Sequence, residues 1–204
     1  MRTSRDQPGW AVWLTGLPAS GKSTLAAELA KRLERMGQDY QVLESDALRQ
    51  RLTPGATYSE VERYVFYAAL AWMGTLLTRH GVAVIFDATA HRRAYREVAR
   101  REIPRFLEVW VDCPLAVCRG RDPKGIYQAA ARGEARQVPG IGVAYQPNVE
   151  AELVIDSAHE SPAEAADRIV AALQQRGWLG MDGHDRSTDA AQVQGPSVRG
   201  GGEA

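Results

Sequence analysis

The chain has 204 residues and carries 25 Lys plus Arg against 25 Asp plus Glu, so its formal net charge is zero. That length suffices for one α/β domain with a good core, and the charge balance leaves no global field to draw in nucleic acid or a membrane surface. No apolar run approaches a membrane span, and residues 1–8 are polar, without the apolar core of a signal peptide.

Residues 1–9 read as a flexible lead-in. Ala11 to Leu14 is short and apolar, as in a sheet buried on both faces. Gly16-Leu17-Pro18-Ala19-Ser20-Gly21-Lys22-Ser23-Thr24 follows, and then an amphipathic run with Leu25, Leu29 and Leu33 at helical spacing, ended by Gly37. Strand, glycine loop and helix in that order make the G-x-x-x-x-G-K-[ST] pattern a phosphate loop. Glycine at both ends lets the loop turn its backbone N–H groups inward, and the helix adds its positive dipole end. Lys22 is expected to reach the β- and γ-phosphates of ATP, and the Ser23 hydroxyl to sit on Mg²⁺.

A second strand begins at Gln41 and runs into Glu44-Ser45-Asp46 and a short helix with Leu48, Arg49 and Leu52. Thr53-Pro54-Gly55 breaks the chain. A long helix from about Ser59 to His80 is apolar on more than one face, which suits either a central buried helix or packing on a partner chain. Val82 to Phe86 is the third strand, ending at Asp87. Arg92 to Ile103 is a basic helix, and Leu107 to Val111 a fourth strand ending at Asp112. Cys113 and Cys118 form neither a metal spacing nor a disulfide framework, so Cys113 reads as a small buried residue and a reducing, cytoplasmic compartment is expected. Residues 115–137 read as helical but polar, followed by the loop Pro139-Gly140-Ile141-Gly142. Leu153 to Asp156 is the last strand, and Ser161-Pro162 caps and opens a helix ending near Gly177. The expected fold is α/β, a P-loop NTPase-type three-layer sandwich with a parallel five-stranded sheet. The domain spans residues 10–179, with a helical lid at about 115–147. Residues 180–204, rich in Gly, Ser, Asp and Gln, read as a disordered tail.

In such a sheet, ligands sit beyond the carboxyl ends of the strands. Asp46 is the first choice for the base acting on an acceptor hydroxyl, and an N-cap role is compatible with it. Asp87 is the next candidate, as a Mg²⁺-water ligand or acceptor contact, and Glu44 could share either role. Asp112 reads as an N-cap. Arg49, one helical turn beyond Asp46, would pair with an anionic group of the acceptor, and His91, Arg92 and Arg93 could do likewise. Arg119, Arg121 and Lys124 suit a mobile lid closing over the phosphates and excluding water, against the ordinary alternative of a solvated charged face. His80, His159 and His184 show no partner pattern and read as surface residues.

Along most of residues 11–178 the chain resembles the adenylylsulfate kinase (APS kinase) family. Val111-Asp112-Cys113-Pro114-Leu115-Ala116-Val117-Cys118 is similar to the family's V-D-x-P-L-x-V-C, and Arg121-Asp122-Pro123-Lys124-Gly125-Ile126-Tyr127 to its R-D-P-K-G-L-Y. Gly133-Glu134, Pro139-Gly140-Ile141 and Tyr145-Gln146-Pro147 track later segments, and Glu44-Ser45-Asp46-Ala47-Leu48-Arg49 stands where the family has D-G-D-N-x-R. The resemblance implies transfer of the ATP γ-phosphate to the ribose 3′-hydroxyl of adenosine 5′-phosphosulfate. It implies that Asp46 acts at the acceptor, that Arg49 and Arg63 contact it, and that Lys124, Gly125, Ile126 and Tyr127 cover it. It also implies a homodimer, which suits the apolar long helix.

The chain departs from the family at the acceptor half of the site. Glu44 and Ser45 replace the first Asp and the Gly of D-G-D. Where the family reads D-R-x-E-N-I-R-R the chain has Glu62-Arg63-Tyr64-Val65-Phe66-Tyr67-Ala68-Ala69, and S-F-I-S-P-Y-R is replaced by Asp87-Ala88-Thr89-Ala90-His91-Arg92-Arg93. The alternative reading is therefore a kinase of a different small hydroxyl acceptor. A nucleotide-binding protein without turnover is disfavoured by the retained Lys22, Ser23, Asp46 and lid cations. A signalling GTPase is disfavoured by the lack of an N-K-x-D segment.

Overall fold

The computed structural model describes residues 7–180. Five strands, β1 (Ala11–Thr15), β2 (Tyr40–Glu44), β3 (Ala83–Asp87), β4 (Phe106–Asp112) and β5 (Leu153–Asp156), form one parallel sheet in the order β2-β3-β1-β4-β5. Seven helices connect and flank them: α1 (Lys22–Arg35), α2 (Ser45–Leu52), α3 (Glu60–Arg79), α4 (Arg93–Glu102), α5 (Leu115–Arg121), α6 (Ile126–Ala131) and α7 (Pro162–Gln175).

Side-chain alternation along the strands divides the core in two. Val12, Leu14, Ile85, Leu107, Val109 and Ile155 pack under α1 and α7. Ala11, Trp13, Val84 and Phe86 pack under α3 and α4, where the Trp13 and Phe86 rings stack at 4.4 Å. The result is the expected three-layer sandwich. All five residues of β1 and of β3 are buried, which is why these segments read as unbroken apolar runs.

From β1 the chain builds β2 and β3 on one side and β4 and β5 on the other. The order therefore reverses at the carboxyl end of β1, the place where open α/β sheets bind ligands. The phosphate loop leaves β1 there, and the register sets Asp87 opposite both Leu14 and Glu44.

The structure corrects several expectations. Residues 115–137 are not one helix. The chain breaks at Asp122–Gly125, where Pro123 interrupts it and Gly125 takes a left-handed φ of 64°. The Asp122 carboxylate then accepts hydrogen bonds from the Tyr127 and Gln128 backbone N–H groups, both at 3.0 Å. Neither Asp46 nor Asp112 is an N-cap, because α2 starts one residue earlier, behind Glu44, and α5 starts behind Pro114. Gly9, expected in the lead-in, is buried and donates to Thr78 O at 2.7 Å, while Trp10 is buried as expected of the domain's first residue. The basic helix α4 also carries a buried charge. Arg96 is fully buried and pairs at 2.8 Å with Glu108 of β4, also fully buried. It also donates to Ala90 O and Gln146 O, tying the end of β3 to the segment returning toward β5. The tail expectation lies outside the described residues except for Gly180.

Candidate active site

The phosphate loop owes its shape to a few backbone requirements. A Cβ at Gly16 would come within 2.5 Å of Val111 O and 2.7 Å of Ser20 Oγ, and Gly21 has a φ of 100°, so both positions require glycine. Ala19 also sits in the left-handed region. Lys22 is almost wholly buried, and its ammonium donates to Gly16 O at 3.2 Å and Leu17 O at 2.8 Å. Burial pulls its pKa below the usual lysine value, opposed by the nearby Asp87 and Asp46 carboxylates. Ser23 and Thr24 are exposed at the start of α1.

A cavity of about 790 Å³ opens over this loop. Pro18, Ala19, Gly21, Lys22, Ser23 and Thr24 line its floor, Glu44, Asp46, Asp87, Lys124 and Ile126 one end, and Arg121 with residues 157–162 the other. Asp87 is nearly buried, and among the described residues its carboxylate accepts no hydrogen bond. Asp46 is half-exposed and receives Lys124 Nζ at 2.6 Å, with Glu44 at 3.9 Å from the same ammonium. The Asp46 carboxylate, first among the causes, raises the Lys124 pKa. Arg121 lies beside the loop, about 3.9 Å from where a Gly21 Cβ would stand, and its Nη2 is held by Ser157 O at 2.7 Å. Gly125 carries no side chain into the cavity. Tyr127 is buried and donates its hydroxyl to Pro18 O at 3.0 Å, fastening its segment to the phosphate loop.

One turn along α2 from Asp46, Arg49 is turned away from this cavity and buried against α3. Its guanidinium lies 3.8 Å from the Phe66 ring centroid, pairs with Glu62 at 3.2 Å, and leaves Nη2 buried without a partner. Arg63, also buried, donates to Tyr58 O at 2.8 Å and Gln137 O at 2.7 Å. His91 packs beside Arg63, and burial, then the Arg63 charge, lowers its pKa to about 4. It is neutral at physiological pH, which overturns its expected role as a cationic contact. Arg92 and Arg93 pair instead with Glu60 and Glu97.

His159 is largely exposed, as expected of a surface residue. It sits on the cavity wall and pairs with Asp156 at 2.8 Å, and the i, i+3 spacing was the available signal for that pair. His80 is exposed as expected, and His184 lies outside the described residues. Among the described residues no helix is long and apolar enough to cross a membrane.

The family model for adenylylsulphate kinase matches residues 8–156. The adenylyl-sulfate kinase of Synechococcus sp. (strain JA-2-3B'a(2-13)) is 39% identical over 171 residues, 84% of this chain and 98% of the relative. A probable adenylyl-sulfate kinase of Pyrococcus abyssi has the same identity and coverage. The structure of the Mycobacterium tuberculosis APS kinase in complex with AMPPNP and APS superimposes with a TM-score of 0.78 at 32% identity, covering 82% of this chain and 99% of that one. With the family model matched over residues 8–156 and a relative 39% identical over 84% of the chain, the chain belongs to the adenylylsulphate kinase family.

Proposed function

We propose that this protein transfers the γ-phosphoryl group of ATP to the 3′-hydroxyl of adenosine 5′-phosphosulfate (APS), giving 3′-phosphoadenosine 5′-phosphosulfate and ADP. The observation that carries this reading is the family match across residues 8–156, which takes in both the phosphate loop and the acceptor-side carboxylates. The cavity geometry supports the division of labour. The loop from Gly16 to Thr24 cradles the ATP phosphates, Lys22 offsets their charge, and Arg121 covers the nucleotide. The segment 115–147 acts as a lid, with Lys124, Gly125, Ile126 and Tyr127 closing the acceptor end and excluding water. Asp46 is the base at the acceptor hydroxyl, and Arg49 and Arg63, buried outside the cavity lining, would receive the anionic part of the acceptor once that end of the site opens to uncover them. The unpartnered Arg49 Nη2 favours that assignment, because a buried donor without an acceptor is costly until a ligand supplies one.

The residues also fit a magnesium ion. Ser23 and the carboxylates of Asp87, Asp46 and Glu44 are hard oxygen donors on one cavity. Among the described residues no cluster of three or more His, Cys, Asp or Glu side chains makes a metal site alone, as suits an ion shared with substrate phosphates. Ser23 would hold it directly and Asp87 or Glu44 through water. When bound it would offset negative charge on the phosphate oxygens. The Asp87 carboxylate, which accepts no hydrogen bond among the described residues, would orient that water.

The test is ADP release from Mg-ATP by purified protein, with and without APS. Release stimulated by APS, with product heavier by one phosphoryl group, is expected. ATP binding without stimulation would overturn the acceptor assignment and point to another hydroxyl compound.

We also infer a homodimer through α3. Val61, Val65, Trp72 and Leu76 are 75%, 59%, 53% and 41% exposed and form one stripe at helical spacing. Sedimentation velocity at micromolar concentration is expected to give a dimer, and a monomer there would refute it.

A further inference from the structure

We propose that Glu62 is a positioning residue that sets the acceptor end of the site, a role that rests on the kinase reading above. It stands three residues after Ser59, the N-cap of α3, in the S-x-x-E spacing of a capping box. In α7 the same spacing behaves ordinarily, with the Glu164 carboxylate accepting from the Ser161 backbone and hydroxyl. In α3 only half the box forms. Glu62 N donates to Ser59 Oγ, but the carboxylate passes the cap. Its Oε2 accepts from Thr57 N at 2.6 Å, Thr57 Oγ1 at 2.7 Å and Tyr58 N at 3.1 Å, while Oε1 accepts from Arg49 Nη1 at 3.2 Å.

Two consequences follow from that diversion. Tyr58 has a φ of 57°, in the left-handed region that is unfavourable for a residue with a Cβ. Glu62 holds its N–H and Arg63 its carbonyl, so consecutive residues of α3 grip both sides of the strained position. Meanwhile Glu62 occupies one edge of the Arg49 guanidinium, Phe66 covers its face, and Nη2 is left as a fixed, buried donor. A charge-assisted bond to that donor gains from a guanidinium that is already held in place. Glu62 therefore acts through Arg49 and Tyr58. The Thr57 hydroxyl, first among its donors, holds the carboxyl below the usual carboxylate range and hence ionised.

The test compares Glu62→Gln and Glu62→Asp with wild type in full steady-state kinetics. The amide of Glu62→Gln keeps a carbonyl for the Thr57–Tyr58 turn but sets an N–H₂ group against Arg49. The KM for APS is expected to rise about tenfold or more, with kcat and the KM for ATP within about twofold. Glu62→Asp keeps the charge and should recover most of that loss. A merely structural role would lower the melting temperature and the active fraction while leaving the KM for APS unchanged. That result, or equal increases in both KM values, would overturn the proposal. Amide exchange at Thr57 and Tyr58, slow in wild type and faster in Glu62→Ala, which removes the acceptor of both N–H groups, reads the clamp without any APS. Wild type inert toward APS but with this exchange pattern would remove the substrate assignment and leave the clamp standing. Unchanged exchange together with an unchanged KM would remove the clamp itself.

Discussion

Replacing Lys22 with alanine is expected to abolish phosphoryl transfer, with kcat falling by about 10³-fold or more. The reason is positional. The Lys22 ammonium is tied to the carbonyls of Gly16 and Leu17, at the bend of the loop where phosphate oxygens would lie. The other cations around the cavity are committed elsewhere. Arg121 is anchored on Ser157 O, and Lys124 is paired with Asp46 and Glu44. Neither can reach the loop floor without giving up those contacts. The variant should still fold, since Lys22 lines the cavity and its truncation lets water reach the carbonyls that lose their donor. Circular dichroism and a thermal melt check that, and ADP formation with saturating Mg-ATP and acceptor measures the loss. Activity near wild type would remove Lys22, and with it the phosphate-loop assignment, from the chemistry.

That result would test the part of the site most legible in the sequence. The phosphate loop is a local device. Its glycines, its lysine and the helix that follows are contiguous, so one stretch of chain carries both the geometry and the chemistry. The parallel sheet was legible for a similar reason, because strands buried on both faces leave unbroken apolar runs such as Ala11–Thr15 and Ala83–Asp87. With the strands placed, the residues at their carboxyl ends, Glu44, Asp87 and Asp112, could be read off directly.

What was not legible depends on partners far apart in sequence. Arg49 read as an acceptor contact and Arg96 only as part of a basic helix, and their burial was not foreseen. One is stacked on Phe66 and paired with Glu62, and the other is paired with Glu108 inside the sheet layer. Spacing along a helix says which face a residue occupies, not which distant carboxylate makes its burial tolerable. The stretch 115–137 failed differently. Its composition is compatible with helix, and the break comes from Pro123 and a left-handed Gly125, punctuation that was present but outweighed by the surrounding helix formers. Glu62 shows a third kind of ambiguity. Its spacing from Ser59 announces a capping box, and only the fold reveals that the carboxylate has gone to Arg49 and the Thr57–Tyr58 turn.

The Asp46→Asn variant is expected to bind ATP about as tightly as wild type and to turn over about 10²-fold more slowly or worse, the usual cost of losing a general base. Asparagine keeps the shape of the side chain and its place in the first turn of α2, so the backbone that shapes the cavity is preserved. What it loses is the capacity to take a proton, and the charge that engages Lys124. These two losses are separable. Lys124→Ala removes the ion pair while leaving the carboxylate, so a pair that mattered only as a fastening for the lid would make the two variants equally slow. If Asp46 is the base, Asp46→Asn is slower by at least about tenfold than Lys124→Ala. The competing carboxylates predict other outcomes. Asp87 lies deeper and closer to the Lys22 charge, and its loss should weaken nucleotide binding along with turnover. Should Asp46→Asn instead lose ATP affinity while turning over normally at saturation, Asp46 belongs with the metal, and the base must be sought at Asp87 or Glu44, the other carboxylates at that end of the cavity.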